Sequence, residues 1–129
     1  MEGAGAAMIQ MEDQKLPKKC GHLEGKELVT ADEMCRKIDA VVKTRKNLML
    51  LARTDAHAIF GIEEAIKRAK MYVNAGADAI FPEALKTEEE FKQFAAEVKV
   101  PLLANMTEFG KTPYIPAQKF QEWGYKIVI

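Results

Sequence analysis

An α/β fold built on a parallel sheet is what this chain of 129 residues predicts, on three observations. Short apolar runs of strand length alternate with stretches whose apolar residues recur at helical spacing. Two of those stretches open on a capping-box pattern, which marks where a helix begins. Successive runs start between 22 and 42 residues apart, room for one helical crossover per unit. Such alternation implies parallel strands joined by right-handed connections.

The first strand is AAMIQM, Ala6 to Met11, which ends at the acidic pair Glu12-Asp13. The loop after it contains PKKCGH, Pro17 to His22. TADEMCRKIDAVVKTR then begins a helix at Thr30, with Glu33 completing a capping box in which each side chain satisfies an orphan amide. Met34, Ile38, Val41 and Val42 share one face of it. LMLLA, Leu48 to Ala52, is a buried second strand, and GIEEAIKRAKMYVNAG is the next helix. Its buried face is Ile62, Ala65, Ile66, Ala69 and Val73, and it stops at Gly76 in the C′ position.

DAIF is the third strand. TEEEFKQFAAEV carries the second capping box, Thr87 with Glu90, and buries Phe91, Phe94 and Val98. VPLLAN is the fourth strand, with Pro101 near its start, where a missing N–H is tolerated. A short helix from Ala117 to Trp123 ends at Gly124, and KIVI supplies the fifth strand. Five strands and three clear helices suit either a doubly wound sheet or a piece of a (β/α)8 barrel. A complete barrel needs about 250 residues, so this length cannot form one by itself. The expectation is a single domain over residues 1–129.

Composition narrows the function. Nineteen basic residues balance nineteen acidic ones, so no net field favours nucleic acid or an anionic membrane. The apolar runs fall far short of the roughly 20 residues that span a bilayer, and the N-terminus lacks a signal-peptide pattern. Cys20 and Cys35 lie in unlike settings and form no disulfide framework, which points to a reduced, cytoplasmic protein. Neither GxGxxG nor a P-loop occurs, and no HxxxH or CxxC supports zinc.

The polar residues are distributed with more meaning. Each of the first four apolar runs delivers charged or amide groups at its C-terminal end: Glu12-Asp13-Gln14, Arg53-Thr54-Asp55, Pro82-Glu83 and Asn105-Met106-Thr107-Glu108. One polar strand end is what any strand meeting solvent shows. Four in succession, including an Arg53 without an evident sequence partner, place acidic, basic and amide groups on the edge where β/α folds bind ligands. Arg53 offers a planar fork for a substrate carboxylate. Glu12 is a candidate to hold a divalent cation directly or through water.

PKKCGH lies on that same edge. Lys18, Lys19 and His22 beside Cys20 are neighbours that favour thiolate, which makes Cys20 a candidate acid/base or nucleophile. A solvated basic loop with an incidental cysteine fits the spacing equally well. Cys35, inside an amphipathic helix, is expected to be an inert packing residue. His57 follows ARTDA and is placed to cap the next helix.

Four segments in this order and spacing, EDQKLPKKCGH, ARTDA, FPEA and PLLANMTEFGKTP, resemble the isocitrate lyase and phosphoenolpyruvate mutase superfamily. The resemblance covers essentially the whole chain. The short spacer between EDQ and KKCGH suits the branch acting on 2-methylisocitrate, and the cysteine in this loop points to a lyase rather than a mutase. Other members, isocitrate lyase or carboxyphosphonoenolpyruvate and phosphoenolpyruvate mutase-like enzymes, are the alternative. The resemblance implies a (β/α)8 barrel of which this chain is a partial barrel, strands four to eight. It implies a carbon–carbon lyase that cleaves 2-methylisocitrate to pyruvate and succinate, with Mg²⁺, or Mn²⁺ in its place, as cofactor. Cys20 becomes the general acid/base, with Lys18 and His22 beside it in catalysis. Cys20, Gly21, Arg53, Glu83, Asn105 and Thr107 become substrate-binding residues for a small di- or tricarboxylate. Glu12 holds the metal through its water shell. The full-length parent is expected to be a homo-tetramer. The family's Asp-x-Asp segment, which carries its main metal carboxylates, has no counterpart here. The chain is therefore expected to be a truncation or a fragment, inactive by itself.

Overall fold

Residues 1–20, 25–107, 110 and 112–129 are described by the structure, a computed structural model. Gly21, His22 and Glu108 lie outside them. Strand β1, Met8–Glu12, pairs in parallel with β2, Met49–Thr54, and β2 pairs in parallel with β3, Ala79–Pro82. A parallel bridge between Ile80 and Leu102 leads on to β4, Leu103–Ala104, which pairs with β5, Ile127–Val128. Strands therefore neighbour one another in chain order. The fourth strand is shorter than its apolar run because ladder pairing with β5 covers only Leu103 and Ala104.

The helices lie between the strands: α1 Ala31–Thr44, the single turn α2 His57–Phe60, α3 Ile62–Asn74, α4 Glu88–Glu97 and α5 Ala117–Glu122. Their starts follow from local chemistry. Thr87 accepts from the Glu90 amide and Glu90 accepts from the Thr87 amide, so the second capping box is complete. The first is half made. Thr30 accepts from the Glu33 amide, but the Glu33 carboxylate turns outward to Lys37, 2.8 Å away. Gly76, at φ +108°, takes the left-handed conformation that ends α3. A Cβ there would stand 2.7 Å from Val42, so the close approach of α1 also requires glycine.

Strand periodicity divides the side chains between two cores. Leu50, Ala52 and Ile80 pack with Met34, Ile38, Ala65, Ala69 and Tyr72 in the layer between sheet and helices. Leu51, Ala79, Phe81 and Leu103, with Met8 and Ile127, form a smaller cluster of their own. Because residues alternate along a strand, that cluster is the face turned away from the helices. β2 and β3 are thus apolar on both faces, as a covered parallel sheet requires. Phe91, Phe120, Trp123 and Tyr125 close the far end of the helical layer with edge-to-face contacts at centroid distances of 4.9–5.7 Å.

Candidate active site

The two-residue period that separates the cores also sorts the polar strand ends. Glu12 continues the series of Met8, Arg53 that of Leu51, and Glu83 that of Ala79 and Phe81. All three therefore emerge on the face away from the helices. Glu12 and Arg53 are direct partners in the β1–β2 register, and Arg53 and Phe81 in the β2–β3 register. The Arg53 guanidinium lies over the Phe81 ring, 5.0 Å from its centroid.

Arg53 is fully engaged, contrary to the expectation of an unpaired arginine. Its Nε and Nη2 donate to the two oxygens of Asp55 at 2.9 and 3.1 Å. Glu12 Oε2 lies 3.5 Å from its Nε, and Glu83 Oε2 lies 3.4 Å from its Nη1. The sequence could not reveal this, because Asp55 is two residues away on the same strand edge and folds back over its neighbour. Burial of the guanidinium disfavours its charge, but Asp55, Glu83 and Glu12 outweigh that and hold it fully protonated. Asp55 is completely buried and also accepts from Lys26 Nζ at 3.0 Å. Burial pushes the Asp55 carboxyl up, but the hydrogen bonds and charges of Arg53 and Lys26 win and hold it below the usual carboxylate range.

Two oxygens in this cluster have work left to do. Glu12 Oε2 and Glu83 Oε2 are buried and make no hydrogen bond. Each has only the longer ion pair to Arg53, and a buried carboxylate oxygen without a hydrogen bond is costly, so each is a place where a cation, water or ligand hydroxyl would be accommodated. Among the described residues no group of three or more His, Cys, Asp or Glu side chains could hold a metal ion. The donor set fits a hydrated Mg²⁺ that takes one protein carboxylate and keeps its waters. It does not fit a closed protein cage.

The loop after β1 reaches the same edge. Lys18 Nζ bonds ionically to the other Glu12 oxygen at 2.9 Å. Cys20 is exposed and free. Asn105 and Thr107, at the end of β4, bond to each other, the Thr107 hydroxyl donating to Asn105 Oδ1 at 2.7 Å. The structure thus gathers Glu12, Lys18, Arg53 and Glu83, and leaves Asn105 and Thr107 as a separate pair.

Of the remaining histidine and cysteine, His57 departs from its expected role and Cys35 keeps it. His57 is buried with its Nε2 2.8 Å from Glu90 Oε1, tying α2 to the cap of α4 rather than capping its own helix. Cys35 is half-buried, and burial together with Asp32 pushes its thiol up, as a packing residue would show. Asp13 is the residue whose weight the sequence concealed. It points to the helical layer, opposite to Glu12, and is completely buried. Its Oδ2 accepts from the Thr54 hydroxyl at 2.8 Å, the Tyr72 hydroxyl at 2.7 Å and Arg68 at 3.3 Å, and its Oδ1 from the Asp55 amide at 3.0 Å. Strict alternation from Glu12 would have found it.

The family model described as phosphoenolpyruvate phosphomutase matches residues 1–129. A 2-methylisocitrate lyase of Aeropyrum pernix is 60% identical over all of this chain and 42% of its own length. One of Bacillus subtilis is 59% identical over 98% of this chain and 42% of its own length. Among solved structures, 2,3-dimethylmalate lyase, a member of the PEP mutase/isocitrate lyase superfamily, superposes with a TM-score of 0.93 at 37% identity. It covers 98% of this chain and 44% of that one. A phosphonopyruvate hydrolase complexed with oxalate and Mg²⁺ gives a TM-score of 0.79 at 34% identity, over 98% of this chain and 44% of its own. The chain spans less than half the length of each of these proteins.

Proposed function

The chain belongs to the phosphoenolpyruvate phosphomutase family, and from that premise we propose that it is the substrate-binding and proton-donating part of a Mg²⁺-dependent carbon–carbon lyase acting on 2-methylisocitrate. The observation that carries the proposal is the convergence of Glu12, Lys18, Arg53 and Glu83 at one edge of the sheet, with the exposed Cys20 two residues along the loop from Lys18. Relatives at 60% and 59% identity that are named 2-methylisocitrate lyases support the substrate. Strands paired in chain order support a stretch of (β/α)8 barrel over a doubly wound sheet, whose strand order reverses at a switch point.

In this reading the C2 hydroxyl gives up its proton to solvent, its oxygen becomes the pyruvate carbonyl as the C2–C3 bond breaks, and the electron pair of that bond stays on the succinate carbon. The Cys20 thiol, with Lys18 and His22 beside it, gives its proton to that carbon and is reprotonated between turnovers. Arg53 carries the positive charge against which substrate carboxylates are held, and its fork is kept rigid by Asp55. Glu83, Asn105, Thr107 and Gly21 complete the contacts to substrate oxygens. Glu12 would hold Mg²⁺ through water, and the cation would supply Lewis-acid stabilisation of the negative charge on the C2 oxygen that becomes the pyruvate carbonyl. The remaining ligands come from outside these residues.

The test is a chimera in which residues 1–129 replace the matching stretch of the Bacillus subtilis relative. It is expected to release pyruvate from 2-methylisocitrate in preference to isocitrate, 2,3-dimethylmalate and a phosphonate substrate. Cys20→Ser should lower kcat by roughly 100-fold or more, the usual scale for losing a general acid. Preference for another substrate overturns the assignment, and undiminished turnover in Cys20→Ser overturns the role of the thiol.

A further inference from the structure

We infer that Gln14 is a positioning residue for Cys20, acting as an amide clamp on the peptide that precedes it. The inference rests on the reading of Cys20 as proton donor, but the clamp itself is read from geometry. Gln14 Nε2 donates to the Lys19 carbonyl at 2.9 Å, and Gln14 Oε1 accepts from the Lys19 amide at 2.9 Å. Both polar groups of one residue are thus held by a single side-chain amide, as a paired strand would hold them.

Among the described residues no second side-chain amide holds this limb of the loop. Residues 15–20 are all exposed, with Leu16 at 87%, so no burial of their side chains anchors them. Lys15, Leu16, Pro17 and Lys19 themselves line an open cleft of about 240 Å³ with Gln14 and Lys26. The ion pairs Lys15–Glu27 and Lys18–Glu12 have lysines 54% and 59% exposed, and exposed pairs contribute little order. Gln14, by contrast, is only 6% exposed and is itself fixed. Its backbone bridges Leu28, while Val29 donates to the Asp13 carbonyl and Lys15 donates to the Glu27 carbonyl. The clamp therefore connects a rigid base to the residue directly before the thiol.

Gln14→Met keeps length and buried volume but loses both hydrogen bonds, and Gln14→Glu keeps the acceptor and loses the donor. In the 129-residue chain, Lys19 amide hydrogen exchange should be roughly tenfold faster in Gln14→Met. The time profile of Cys20 alkylation by iodoacetamide at one fixed pH should move to that of a linear peptide of residues 13–24. Cys35 alkylation and far-UV circular dichroism should stay unchanged, which separates release of the limb from unfolding. In the chimera, Gln14→Met should lower kcat at least fivefold with KM within twofold, and Gln14→Glu should fall between it and the parent. Unaltered Lys19 exchange and an unaltered Cys20 profile in Gln14→Met overturn the clamp. A changed profile with an unchanged kcat overturns its part in positioning. A parent chimera without lyase activity removes the lyase reading while the exchange result still decides the clamp.

Discussion

Asp13 and Asp55 are one position apart in kind and opposite in what they do. Asp13 faces the helices and gathers four donors from β2 and α3, and Asp55 fixes Arg53 and Lys26. Asp13→Asn replaces an acceptor surrounded by donors with a group that is half donor, and leaves Arg68 with Glu64 alone as a charge partner. It should destabilise the chain by about 3 kcal/mol in urea unfolding, the scale for breaking a buried pair. Tyr72→Phe, which removes one of the four donors, should cost about 1 kcal/mol. An Asp13→Asn midpoint equal to the parent's would mean the network is not a stabilising one. Asp55 has a depressed carboxyl, so its contribution is present above the unfolded value near pH 4 and is lost as pH falls through the lower folded value. Denaturant titrations from pH 6 to pH 3 should therefore show a flatter acid limb in Asp55→Asn than in the parent. Polar residues at strand ends were legible in the sequence, but their division between site and scaffold depends on which face of the strand each occupies.

At the scale of elements, the two helix starts carry the same sequence signature and separate in the structure. Thr87 and Glu90 close their box, and Glu90 also accepts from the Lys86 amide at 2.6 Å and bonds to His57. Glu33 is drawn away by Lys37 on the helix surface. Glu90→Gln should therefore lower stability by about 1 kcal/mol, as loss of a cap does, whereas Glu33→Gln should leave the unfolding midpoint unmoved. Equal effects would mean that the extra bonds of Glu90 contribute nothing. Helix faces were largely legible: Met34, Ile38, Ala65, Ile66, Ala69, Phe91, Phe94 and Val98 are buried, while Val41, Val42, Ile62 and Val73 are half-buried against the same core. Arg68 and Tyr72 were not, because a guanidinium and a phenol are buried on a helix only where a partner such as Asp13 waits across the layer. The end of β4 was misjudged for a related reason. An apolar run reports burial, and ladder pairing depends on a neighbour that the run does not specify.

The whole molecule shows why strand order lay beyond the sequence while the functional edge did not. Parallel strands buried on both faces read as apolar runs whichever neighbour they take, so doubly wound and sequential arrangements look alike until the pairing is seen. The C-terminal ends, by contrast, share one edge in either arrangement, which is why Glu12, Arg53 and Glu83 could be grouped early. The far edge of β1 and the far edge of β5 have no strand partner among the described residues. Glu12 Oε2 is likewise buried without a hydrogen bond, and in the proposed reading a Mg²⁺ held there would need further ligands. Unpaired edges favour association, so the purified 129-residue chain should elute in size-exclusion chromatography above its monomer mass of 14.4 kDa. It should release no pyruvate from 2-methylisocitrate with Mg²⁺ present, under conditions in which the chimera turns over. Restoration of activity only in the chimera would locate the missing ligands in the stretch the relatives have in addition. Turnover by the chain alone would mean instead that association of copies closes the site, and it would move the metal ligands onto residues 1–129.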